Sequence, residues 1–300
     1  IRRGSRCSTA KAFLRPVRQR KNLHVALHAH VTRVLIDPST KKAYAVKFRR
    51  DGRNHVVRAR KEVVLSAGTI NSPQILMLSG VGPREQLTKF GIPVVKDSRV
   101  GENLQDHVAM GGLTFLVDKP IAIVQDRFQA IPMTMNYVLK QSGPMTTLGG
   151  VEGLAFVSTR YANRSWPDIQ FHMAPASISS DNGARVRKSL GLKKSLYDAV
   201  YRPIANRDAM NIMPLLLRPK SRGWVRLRSG NPFHYPEINA NYFDDPFDVH
   251  TLVEGAKIAM AVGQSPAFKQ FGTRVHAVPF PNCRRFPFAT DAYWECHMRT

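Results

Sequence analysis

The chain has no run of about eighteen apolar residues, so no segment reads as a helix that crosses a membrane. Its opening, Ile1-Arg2-Arg3-Gly4, has no apolar stretch of the kind a signal peptide needs, and it lacks an initiator methionine. It therefore reads as a piece of a longer chain, and compartment stays unknown. Cysteine is scarce. Cys7, Cys283 and Cys296 are odd in number and form no Cys-x-x-Cys, so neither a zinc site nor a complete disulfide framework is legible; Cys283 and Cys296 stay open as a pair or as two separate thiols. Acidic residues are few as well, 21 against 45 Lys and Arg, for a formal charge of +24. That excess invites a nucleic-acid or anionic-membrane partner. However, the basic residues, which thicken at 2–21, 41–61 and 185–194, are not interleaved with aromatics, and there is no zinc-finger spacing or RNP-like strand. They read as a solvated basic surface, and nucleic acid is not an expected partner. No Gly-x-Gly-x-x-Gly occurs, and the glycines around 143–153 are not followed by Gly-Lys-Ser/Thr, which excludes a phosphate loop there.

Three hundred residues with 43% hydrophobic content suffice for one large domain or two ordinary ones. The most informative stretch is 62–82, EVVLSAGTINSPQILMLSGVG. Val63, Val64 and Leu65 predict a short strand buried on both faces, and Ala67-Gly68 then removes bulk where the backbone must turn. Ser72 as N-cap, Pro73 at the first helical position and Gly80 at the far end predict a helix over 74–79, apolar nearly all round. A strand passing through small residues into a buried helix start is where open α/β sheets hold an anionic cofactor. A packing turn with no ligand fits the same residues.

Upstream, alternation predicts strands at 23–27 and 31–36, and 44–48 with 54–59 flank Asp51-Gly52 as a hairpin. Residues 84–90 predict an amphipathic turn with Leu87 and Phe90 on one face. Beyond Gly111-Gly112 the texture changes: a strand near 114–117, a helix over 121–139 interrupted by Pro132, strands at 153–158, 168–173, 211–217 and 223–228, and a helix over 248–263. Residues 177–194, polar and without period, read as a surface insertion.

Several stretches together resemble the glucose-methanol-choline (GMC) family of FAD-dependent oxidoreductases. Gly68-Thr69, Ser72-Pro73, Leu76-Met77 and Ser79-Gly80-Val81-Gly82 resemble its second signature; Gly4, Arg6, Ser8 and Thr9 resemble its Gly-x-Arg-x-Ser-Thr element; Val100-Gly101-Glu102-Asn103-Leu104-Gln105-Asp106-His107 resembles the element closing its cofactor domain. Matches from Ser221-Arg222-Gly223 to Asp245-Pro246 resemble the start of its substrate-side region.

The resemblance implies a mixed α/β (α+β) fold. Residues 1–108 would be the C-terminal portion of an FAD-binding, Rossmann-like domain, and 109–300 part of a substrate domain built on an antiparallel sheet with helices. It also implies FAD as cofactor, held by Val31, Ala67, Gly68, Asn71, Ser72, Pro73, Asn103, Asp106 and His107. Hydride would pass from the CH–OH carbon of an alcohol or sugar to the flavin, and then to a quinone or oxygen. Within the family the texture is most similar to insect glucose-dehydrogenase-like members, which are often secreted. The family's His-Pro-x-Gly-Thr catalytic element is not in the chain and is expected beyond Thr300, so no catalytic residue is assigned and the chain alone should be inactive. The alternative is an inactive protein or relic on the same scaffold, whose basic surface binds anionic partners.

Overall fold

The computed structural model describes residues 1–147 and 150–300 and divides the chain into two compact units. The smaller holds Arg18–Asp106 and Ser221–Asp244; the larger holds Ile1–Val17, His107–Lys220 and Asp245–Thr300. The chain thus passes between units at 17/18, 106/107, 220/221 and 244/245, whereas the sequence suggested one boundary at 108. Gly149, in the glycine-rich loop noted above, lies outside the described residues.

In the smaller unit β1 (His30–Ile36), β2 (Ala43–Arg50) and β3 (Arg53–Arg58) form an antiparallel meander in that order. Its second turn is tight because Asp51 and Gly52 both take positive φ, 49° and 74°, the twist that joins antiparallel strands without splaying them. Helix α1 (Gly68–Leu78) lies against β1, tied by the Val34 N–H donating to Ser79 Oγ at 2.9 Å. Met77 and Leu78 at the end of α1 then pack with Leu87 of α2 (Arg84–Lys89), Ile92 and Leu227. Leu227 follows the strand Gly223–Arg226, which is central in a sheet with Glu102–Leu104 and Glu237–Asn239.

Three local expectations fail here. Residues 63–65 pair with no strand among the described residues, and Val64 is 76% exposed, because an apolar run becomes a buried strand only where neighbours exist on both sides. Residues 23–27 form no strand for the same want of a partner, and Leu23, Val25 and Leu27 are exposed. Helix α1 starts at Gly68, not Gln74, so Ser72 is not its N-cap and Pro73 sits inside it. The missing Pro73 N–H removes one bond near the helix start, while burial of Ile75, Met77 and Leu78 holds the segment helical through it. Gly80, at φ 88°, does terminate the helix as expected.

The larger unit is built on an antiparallel sheet of six strands. Its order is Arg274–Val275, β4 (Thr114–Leu116), β7 (Ala209–Leu216), β6 (Ile169–Ala174), β5 (Gly153–Val157), with Val108–Ala109 also pairing β7. Helix α3 (Ile131–Lys140) takes Pro132 in its first turn, where proline is tolerated, so the expected interruption is a start. Residues 177–194 are not a loose insertion. The Asp181 carboxylate accepts from the Gly183, Arg185 and Val186 N–H groups at 3.0, 2.6 and 2.8 Å, and Ser177, Ser179 and Ser180 are buried. The short helix α4 (Lys194–Val200) follows. Helix α5 (Pro246–Gly263), capped by the Asp245 carboxylate accepting from the Phe247 N–H, packs Leu252, Ala256 and Ala259 onto β6 and β7. Cys283 is joined to Cys296 on helix α6 (Asp291–Met298) by a disulfide, which resolves the pairing the sequence left open.

Candidate functional site

In the smaller unit the start of β1, residues 64–67 and the first turns of α1 enclose a cavity of about 490 Å³. Three of the candidate residues, Val31, Ala67 and Asn71, line it. The feature that gives this cavity chemistry is the helix start. The N-cap position is Ala67, whose side chain accepts nothing, so no side chain caps the first N–H groups of α1. These groups carry the positive end of the helix dipole. Gly68 is required by its backbone, at φ 91°, a conformation an L side chain enters at a cost of about 1–2 kcal/mol. A Cβ there would meet nothing within 4 Å, so the ground in front of the helix is open.

Ser72 and Pro73 act inside this turn and do not line the cavity. Ser72 Oγ accepts from the Ala67 N–H at 3.0 Å, which fixes the backbone just before the helix. The other wall is Pro232, which the spacing of apolar residues gave no reason to choose. It is held because His30 Nε2 bonds the Pro232 carbonyl at 3.1 Å, His30 stacks on Phe233 at 5.0 Å, and Gln74 Nε2 donates to the His234 carbonyl at 2.8 Å. The sequence marked this wall only by Asn231-Pro232, as a turn and within the matched stretch 221–246.

Asn103 and Asp106 lie elsewhere in the same unit, and neither lines this cavity. Asn103, at φ 63°, accepts on Oδ1 from Arg222 Nε at 3.0 Å. Gly101 beside it allows a close approach, since a Cβ would fall 2.1 Å from the Val225 carbonyl oxygen; the element thus fastens a strand pair. Asp106 accepts from the Tyr242 hydroxyl, and that hydrogen bond, with partial burial and the carboxylate charge, pushes the Tyr242 pKa up to about 12. His107 belongs to the larger unit and is exposed.

The larger unit has its own cavity, about 470 Å³, between β6, β7 and residues 123–129 and 176–190. Phe128, Ile178 and Met213 make it largely apolar, while Gln125, Asn211, Asp181, Arg185 and several serines bring polar groups to its lining. Asn211 is buried and its Oδ1 accepts from Thr114 Oγ1 at 2.7 Å, which orients the amide. His297, near the C-terminus, is buried and bonds the Gly111 carbonyl through Nε2 at 2.8 Å. It stacks on Phe280 at 3.9 Å, and burial lowers its pKa to about 4. Among the described residues, no group of three or more His, Cys, Asp and Glu is placed to hold a metal ion.

Residues 1–109 match one sequence profile described as GMC oxidoreductase, and residues 219–300 match a second with the same description. The chain is 40% identical over 99% of its length to a glucose dehydrogenase (FAD, quinone) of Drosophila pseudoobscura pseudoobscura, covering 45% of that protein. It is 34% identical to an alcohol dehydrogenase (acceptor) of Pseudomonas putida, over 93% of this chain and 47% of the relative. Among solved structures it resembles a formate oxidase, with TM-score 0.73 and 23% identity over 92% of this chain and 49% of that one. It also resembles the pyridoxine 4-oxidase of Mesorbium loti, with TM-score 0.73 and 21% identity over 99% and 49%. The chain spans about half the length of the curated relatives it matches.

Proposed function

Since this chain belongs to the GMC oxidoreductase family, we propose that it contributes part of an FAD-dependent oxidoreductase that takes hydride from the CH–OH carbon of an alcohol or sugar. The observation that carries this reading is the cavity at the uncapped start of α1. Its residues fit an anionic dinucleotide: little side-chain bulk at Ala67 and Gly68, open ground before the N–H groups, and Val31 on the facing wall. Val31, Ala67, Gly68 and Asn71 would hold the cofactor. Ser72 would keep the turn in shape, and Pro73 would shape the helix behind it. Asn103 and Asp106 would act by holding their own strands and turn through Arg222 and Tyr242.

Bound flavin supplies an electron sink for the hydride; position and electrostatics are the protein's share. The residues of this chain would hold the cofactor's charge at a helix start and shape the substrate side. In the larger unit the 470 Å³ cavity, with Phe128, Ile178 and Met213 against the oriented Asn211, suits an alcohol with an apolar body and one or two polar contacts. Quinone or oxygen would take the electrons onward, the former being the acceptor in the name of the Drosophila relative. The chain contains neither Gly-x-Gly-x-x-Gly nor His-Pro-x-Gly-Thr, so it would supply only part of the cofactor's grip and by itself would not turn over alcohol.

Titration of the purified chain with FAD, followed by flavin fluorescence, tests the site. Ala67→Asp places a carboxylate at the N-cap, which favours the helix while repelling an anionic ligand. FAD affinity should fall by about tenfold or more with the melting temperature held or raised. Equal FAD affinity in both proteins, or none in either, would remove the cofactor reading from this cavity.

A further inference from the structure

Part of the charge excess of the chain falls on a structural element that the cofactor reading does not use. Residues 41–61 carry nine Lys and Arg against a single acid, Asp51. Two precede β2, three lie on β2, two on β3 and two just beyond it, and every residue of β3 is exposed. The strand register sets like charges face to face: Arg33 of β1 is opposite Lys47 of β2, and Arg50 of β2 is opposite Arg53 of β3. Like charges directly opposite on neighbouring strands destabilise a sheet. Among the described residues only Arg50 of the nine has an ion pair, with the exposed Asp51 at 3.4 Å. Of the carboxylates flanking the stretch, Asp37 accepts from Ser39 and Thr40 of its own turn, and the exposed Glu62 follows Lys61 at the far end. Within the chain, then, this repulsion has almost no counter-charge.

We propose that the β2–β3 ribbon is a docking surface for an extended sulfated polysaccharide. Three observations select this partner. β3 is the outer strand of the meander and is open along its whole length, which suits a linear chain lying along it. Five of the nine cations are Arg, whose planar fork gives paired hydrogen bonds to oxyanions. The Cys283–Cys296 disulfide belongs to an oxidising compartment, where nucleic acid is not the abundant polyanion. Base stacking has little platform here, because Phe48 is already stacked on His55 at 5.2 Å and Tyr44 is the other aromatic of the ribbon.

The test is fluorescence anisotropy of a labelled heparin oligosaccharide with the purified chain, over a salt titration. One variant carries Arg53→Gln, Arg58→Gln, Arg60→Gln and Lys61→Gln, all exposed positions. A second removes the same charge from the larger unit, as Lys188→Gln, Lys193→Gln, Arg202→Gln and Arg207→Gln, and circular dichroism melts confirm that both fold. The ribbon variant should bind heparin about tenfold or more weakly, with a salt slope shallower by about four, while the control stays within about twofold of wild type. Equal loss in both variants would reduce the effect to net charge and overturn the proposal. So would absence of heparin binding by the wild type, or equal or tighter binding of a single-stranded oligonucleotide of matched charge.

Discussion

Lowering the pH should unload the fold at His297. Its ring is 8% exposed and enclosed by Phe280, Tyr293 and Trp294. Because a carbonyl only accepts, the bond to Gly111 fixes the proton on Nε2 and leaves Nδ1 as a buried acceptor without a partner among the described residues. Protonating Nδ1 would bury a charge among aromatic rings, and burial is why the folded pKa is lowered from 6.5 to about 4. The sign follows from proton counting. Between these values the unfolded chain binds the proton and the folded chain does not, so stability is full above pH 6.5, falls as pH drops toward 4, and levels off below. At about 1.4 kcal/mol per unit, the loss between about pH 7.5 and about pH 4.5 comes to about 2–3 kcal/mol. Carboxylates titrate over part of the same range, so the measurement is a difference between two proteins. His297→Gln keeps a donor for the Gly111 carbonyl and cannot take up a proton. Urea unfolding at both pH values should show wild type losing about 2–3 kcal/mol more than His297→Gln. The same pH dependence in both proteins would refute the reasoning.

Removing the disulfide, as Cys283→Ser with Cys296→Ser, frees a loop with a sequence separation of 13 and should cost about 3 kcal/mol of stability, read from the shift in urea midpoint. Tyr242 should ionise near pH 12, as followed by ultraviolet absorbance, and Tyr242→Phe should remove that titration. The same substitution should cost about 1 kcal/mol through the lost bond to Asp106, read from the urea midpoint.

The parts of the fold legible in the sequence were those fixed by local chemistry. Asp51-Gly52 announced the hairpin, Gly80 the helix end and residues 248–263 the long helix, because each is set by residues a few positions apart. The errors fell where distant partners decide. Val63, Val64 and Leu65 have the composition of a buried strand and no strand beside them. The signals of Ser72 and Pro73 for a helix start were outweighed by the packing of Ile75, Met77 and Leu78, which extends α1 back to Gly68. The apparently loose 177–194 is ordered by a single carboxylate, Asp181, whose three backbone bonds leave no periodic trace. In the candidate site, Val31, Ala67 and Asn71 were named through motif resemblance, whereas Pro232 was not. It arrives some 200 residues later through contacts with His30 and Gln74 that no window of sequence contains.

The strand Gly223–Arg226 sits centrally in a sheet whose first member is Glu102–Leu104, and Leu227 completes the core around Met77 and Leu87. On the ribosome the smaller unit therefore cannot finish when its first ninety residues emerge. It must wait for residues 221–244, made after the body of the larger unit, a delay of about 6–30 seconds at ordinary elongation rates. Throughout that interval the apolar ends of α1 and α2 have no lid, which makes the nascent chain a client for holding chaperones. A stop codon placed after residue 106 should release an aggregating fragment, not a small stable domain.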